Sequence, residues 1–335
     1  MSEYQYYEFV AVDRPLTARE MQELRAVSSR AVITATRFTN HYEWGSFKGD
    51  PRAWMERYFD AFLYFANWGT HELMLRLPRR VLDPATARLY CRGQSASARV
   101  KGEHVILEFM SEEEGSDWFE EDEDGSLSSF VPLRAEIARG DLRLLYLGWL
   151  LCVQAGELDD DDEEPPCPPG LASPSAALAA FIVFLPFDRD LLEAAAAGSA
   201  SAAEESLPAA DVERWVAAMP EAEKTALLVR LIGAEEPHLR AELIRHYRSA
   251  RSTSPSAAAV GRRTVSELLE AAEQRAVERR RLESEHVARE QARNGPQGRR
   301  GPSAGPPRRR TCRAAWSRSA PPPRPRPLPH AGQGQ

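Results

Sequence analysis

The apolar pattern of this chain changes period along its length. Through the first 110 residues stretches that alternate in twos are interleaved with three helix-like blocks, the last a short one that Asp83-Pro84 starts, whereas from residue 131 onward the repeat is that of helices alone. Strand signals gathered at one end and helix signals at the other predict an α+β fold.

Residues 4–12 are rich in aromatic and β-branched types and read as a strand. Thr17 with Glu20 forms a capping box, and Leu16 with Met21 a hydrophobic staple, so a helix begins at Thr17. Residues 31–38 read as a second strand, which Thr39-Asn40 turns back into a short third one through Trp44. Asp50 as N-cap and Pro51 at the first helical position open the strongest helix signal, which Gly69 closes. Along it Arg57, Asp60, Tyr64 and Asn67 form a polar stripe, leaving Trp54, Tyr58, Phe59, Phe62, Phe65 and Trp68 for the core. In the strand 71–77, His71, Leu73, Leu75 and Leu77 share one face, and Glu72, Met74 and Arg76 the other. The order βαββαβ predicts a ferredoxin-like N-terminal domain over residues 1–110, with an added hairpin that turns at Lys101-Gly102.

An acidic linker (111–130) then leads to an all-α region, 131–248, interrupted by an acidic, proline-rich linker at 159–170. Helices are expected at 132–139, 141–156, 174–185, 188–197, 210–218, 220–232 and 237–248. A linker (249–263) precedes one charged helix, 264–293, in which no core-forming apolar stripe is evident. Truncation after Ser249 is therefore expected to leave a folded protein. The last 45 residues hold ten arginines and ten prolines and no acid. Such a composition cannot bury enough apolar surface to fold, so 294–335 reads as a disordered tail.

Charge divides the chain in the same way. The segment from Gly261 carries 17 arginines against seven glutamates, a net +10 within a total of −7, which leaves the remainder at −17. An acidic body repels polyanions, so nucleic acid is expected only through the arginine-rich tail, with Arg308, Arg309 and Arg310 its densest cluster. GC-rich DNA read in a shifted frame yields the same Arg/Pro/Gly/Ala mixture, and that reading of the tail outranks a selected arm. No signal peptide or membrane span is visible, and the four cysteines show no metal spacing, so a cytoplasmic, reduced protein is expected.

Motifs for chemistry are incomplete. Glu120, Asp122, Asp124 and Gly125 imitate the opening of a Ca²⁺ loop, but Val131 stands where the closing bidentate Glu belongs. His71-Glu72 begins a zincin motif that Leu75 breaks. No metal and no cofactor is expected. Ligand-pocket candidates are His41, Tyr42, Trp44 and His71, on the reading that an aromatic-lined pocket lies beside the second helix.

The stretches SEYQYYEFVAVDRPLT, WGSFKGDPRAWMERYFDAFLYFANWGT and LRLLYLGWLLCVQAGELDDD resemble an uncharacterised family of bacterial proteins from GC-rich genomes. The resemblance runs from Ser2 to about Arg281 and implies no activity, so it transfers no functional residue. It also implies further helical sequence where this chain has its Arg/Pro tail. The function expected is that of a non-enzymatic adaptor in a bacterial cytosolic assembly, with an unknown protein partner and no membrane contact. The alternatives are a nucleic-acid-associated protein working through its arginine end and an enzyme using the aromatic-lined pocket.

Overall fold

The computed structural model of the chain describes residues 4–112, 127–200, 208–233, 239–252 and 263–294. Its centre is a seven-stranded antiparallel sheet: β1 (Gln5–Val10), β2 (Val32–Ile33), β3 (Arg37–Tyr42), β4 (Ala61–Ala66), β5 (Thr70–Pro78), β6 (Ala96–Lys101) and β7 (His104–Glu112), in the order β2-β3-β1-β4-β5-β7-β6. Helices cover both faces. Tyr7, Phe9, Phe38, Phe62, Met74 and Ile106 point to one side, where α1 (Ala18–Val27) and α2 (Pro51–Arg57) cover them with Leu24, Trp54 and Met55. Leu63, Leu73, Leu75, Leu107 and Phe109 point to the other. There they meet α3 (Pro84–Tyr90), α4 (Val131–Ala138), α5 (Arg143–Gln154), α6 (Ala176–Phe184), α7 (Arg189–Ala197) and the first turns of α11 (Val265–Asn294). The three remaining helices, α8 (Ala209–Ala218), α9 (Glu221–Gly233) and α10 (Leu239–Ser252), are joined through the Trp215–Tyr247 ring contact and the Arg230–Glu242 ion pair. One compact unit runs to Glu283, and a second begins at Ser284.

Local signals explain the first helices. Thr17 and Glu20 form the expected capping box of α1, and Asp50 accepts from the Ala53 N–H at the start of α2, with Pro51 in first position. The helix expected to reach Gly69 stops at Arg57, however, and residues 61–66 form β4, in the middle of the sheet. The reason is Asp60. Fully buried, its Oδ2 accepts the N–H groups of Val12 and Asp13 at 2.7 and 2.9 Å, and its Oδ1 accepts Arg76 Nε and Nη2 at 3.0 and 2.7 Å. These partners lie on β5 and on the loop after β1, so satisfying a buried carboxylate ends the helix and starts a strand. Gly69, at φ 99°, closes the β4–β5 hairpin rather than a helix. The β2–β3 turn likewise falls at 34–36, before the Thr39-Asn40 pair, which lies within β3. The added hairpin is present, with Gly102 at φ 54° between β6 and β7.

Three further expectations need correction. The acidic run at 159–164 is a strap packed on the body, because Glu164 is buried and accepts Arg263 Nε and Nη2 at 2.7 and 2.9 Å and the Tyr146 hydroxyl. Asp162 meets Arg92 at 2.9 Å and, through its carbonyl, the Val265 N–H at 3.0 Å. The charged helix does bury apolar groups: Val265, Leu268 and Ala272 enter the α5 side of the core, and Arg279 pairs with buried Asp190 at 2.6 Å. The expected linker 111–130 also gives up both ends, since β7 runs to Glu112 and Leu127 and Phe130 are buried. Its calcium-like residues Glu120, Asp122 and Asp124 lie outside the described residues, as does the tail after Asn294. No described helix is long and apolar enough to cross a membrane.

Candidate functional site

The four pocket candidates do not line one pocket. The β1–β3 register pairs Gln5 with Tyr42 and Tyr6 with His41, so Tyr42 and His41 point to opposite faces of the sheet. His41 is exposed. His71 is fully buried on the α5 side, where Nδ1 donates to the Gly69 carbonyl at 3.1 Å and Phe184 stands edge-on at 5.1 Å. Burial, only partly offset by that carbonyl, lowers the His71 pKa and keeps the ring neutral. Trp44 stands clear of the sheet, 69% exposed, with the Arg30 guanidinium 5.4 Å from its ring centre. Arg308, Arg309 and Arg310 lie outside the described residues.

Tyr42 does belong to a cluster, of a kind the sequence only partly revealed. On the α2 side, at the sheet end where β1 begins, Tyr7 is ringed by Tyr42 at 5.8 Å, Phe47 at 4.8 Å and Tyr64 at 4.6 Å between ring centres. The Tyr7 hydroxyl donates to Gln5 Oε1 at 2.8 Å, and Gln5 Nε2 donates to the Gly45 carbonyl at 2.9 Å, tying the 43–50 loop to β1. Burial pushes the Tyr7 and Tyr64 phenols above their ordinary range.

Beside them lies a pair of carboxyl groups. Glu72 of β5 is in register with Tyr64 of β4 and Met110 of β7, and Glu108 of β7 is its diagonal neighbour on the same face. Glu108 is 3% exposed; Arg52, in the first turn of α2, donates to its Oε1 through Nε at 3.1 Å and also through Nη2. Arg99 Nε lies 3.6 Å from the other oxygen. Burial first, and then the Glu108 charge, push half-buried Glu72 up to about 8. At neutral pH Glu72 therefore keeps its proton beside the Glu108 carboxylate. The strand alternation had placed Glu72 beside Met74 and Arg76. A glutamate on a largely covered strand face was the available signal, but its partners on β7, β6 and α2 lie too far along the chain to be inferred.

At the same end the loops after β3 and β4 present two exposed indoles, Trp44 and Trp68 at 69% and 44%. Because β1 lies between β3 and β4, they leave the sheet about 10 Å apart, two strand spacings, with Tyr4 between them. Tyr4 and Asn67 fix this edge by exchanging hydrogen bonds, Tyr4 N–H to Asn67 Oδ1 at 2.9 Å and Asn67 N–H to the Tyr4 carbonyl at 3.0 Å. Elsewhere a cleft of about 440 Å³ separates α1 from α2 over Leu24, Val27 and Trp54. Among the described residues no three His, Cys, Asp or Glu side chains converge as metal ligands. Comparison of the chain with family models, curated proteins and solved structures returned no match.

Proposed function

We propose that this chain is a non-enzymatic, protein-binding adaptor of a bacterial cytosolic assembly, and that it docks its protein partner at the sheet end bearing Trp44 and Trp68. The observation that carries this reading is the exposure of two indoles on a braced edge. Tryptophan offers a large rigid contact area at little entropic cost, and it is enriched among the side chains that dominate binding energy. The fold is read in the same way. The order β4-β1-β3-β2, with α1 and α2 on one face, supports a ferredoxin-like βαββαβ unit extended by β5, β7 and β6.

Photo-crosslinking in the native host tests the docking site. Probes at positions 44 and 68 should each give the same discrete protein adduct. A probe at exposed Arg80, beyond the far end of β5, should not. Trp68→Ala should remove the adduct formed from position 44. Absence of a discrete adduct, or an equal one from position 80, sinks the proposal.

A further inference from the structure

The loop that carries Trp44 and Phe47 is held at three points. Gln5 binds the Gly45 carbonyl, the Phe47 ring packs on Tyr7 and Trp54, and α2, which follows the loop directly, is anchored by the Arg52–Glu108 pair. The last point depends on a carboxylate that shares its surroundings with a second acid. Facing Glu72 are Tyr64 from β4, Tyr7 from β1, Glu108 from β7, Arg99 from β6 and Arg52 from α2, with Asp50 and Glu56 of α2 adding to the field on the arginines. Glu72 cannot ionise as the diagonal neighbour of Glu108 on a largely covered face without rearrangement, and the tyrosines, themselves hard to ionise there, offer no positive charge.

We propose that Glu72 and Glu108 form a proton-linked latch on the start of α2. While Glu72 keeps its proton, Glu108 devotes its charge to Arg52, the first turn of α2 stays on the sheet, and the 43–50 loop is held closed. When that proton leaves, Glu72 becomes a second half-buried anion. It can be stabilised only by drawing Arg52 or Arg99 away from Glu108, or by moving toward water. The Arg52 side chain is 60% exposed and free to swing, so α2 and the loop come loose together. The folded-state pKa of Glu72 lies above its ordinary value, so the latch is closed at neutral pH and opens as pH rises through about 8.

This inference is independent of the docking reading and is tested without a partner. Hydrogen exchange, corrected for intrinsic rates, is followed between pH 7 and pH 9 on the whole chain, comparing the segment 43–58 with α5. The expected result is about tenfold loss of protection in 43–58, one pH unit beyond the midpoint, with α5 unchanged. Glu72→Gln, which mimics the protonated acid, should hold 43–58 closed at both pH values. A flat wild-type profile overturns the latch and needs no variant. So does an equal loss in α5, which would mean global destabilisation, or an undiminished pH response in Glu72→Gln.

Discussion

Asp60 is the side chain on which most of the α2-side architecture turns. Burial alone would raise its pKa, but Arg134 and Arg76, with the N–H of Asp13, outweigh that and hold it below the usual aspartate range. Asp60→Asn at pH 7 leaves two buried guanidinium groups short of a counter-charge, and we expect a loss of about 3–5 kcal/mol, read by urea unfolding. The sign with pH follows from the lowered value. The carboxylate's contribution is present above its unfolded pKa, near 4, and is lost as pH falls through the folded one. Stability of the wild type should therefore drop in acid where that of Asp60→Asn changes much less; parallel curves would show that Asp60 carries no such charge coupling. Gly49 is a second sensitive point, through crowding rather than backbone strain. A Cβ there would stand 2.5 Å from the Phe47 ring and 3.0 Å from Trp54. Gly49→Ala should push Phe47 off Tyr7 and cost about 1–3 kcal/mol, and a melting temperature equal to wild type would contradict this.

At the scale of elements, α11 separates what composition suggests from what packing does. Val265 and Leu268 are each worth about 1.5–3 kcal/mol when buried, and removing Arg263 and Arg279 would strand Glu164 and Asp190 beside the core. A chain truncated after Ser252 should melt more than about 5 °C below one that ends at Asn294, in contrast to the sequence expectation, and calorimetry of the two decides it. The apolar positions 265, 268 and 272 were readable as a short stripe; diluted by 27 further helical residues of charge and alanine, they did not look like one. The error at β4 has a different source. A central strand covered on both faces reads as a continuous apolar run, and in 58–66 the aromatics also fall at helical spacing, so periodicity alone supported both answers. Where one face was polar or caps were explicit, as at β5, α1, α7 and the β6–β7 turn, the sequence reading and the structure agree. The glutamate pair and the Glu164–Arg263 clasp were not legible, because their partners lie 36 and 99 positions apart and only the fold brings them together.

For the molecule as a whole, charge limits the choice of partners. Nine arginines lie beyond Asn294, so a chain ending there carries a net −16 in place of −7. Its aromatics are mostly spent on the core, with Phe9, Phe38, Phe59 and Phe62 fully buried. That chain should not retard labelled single-stranded DNA at about 0.15 M salt, whereas any binding by the full chain should fall steeply as salt rises. Retention of DNA by the shorter chain would return the exposed indoles to consideration as a base-stacking surface. The entry of α11 into the core on the α5 side also imposes a timetable on biosynthesis. The strand β7 ends at Glu112, but the core on its α5 side is not complete until Ala272 has been made, 160 residues later. At roughly 5–20 residues per second a ribosome needs about 8–32 s to cover that distance. During that interval the core that contains Leu73, Leu75 and Leu107 still lacks Val265, Leu268 and Ala272, and a ribosome stalled after α10 would leave a polypeptide with most of its helices and an unfinished core.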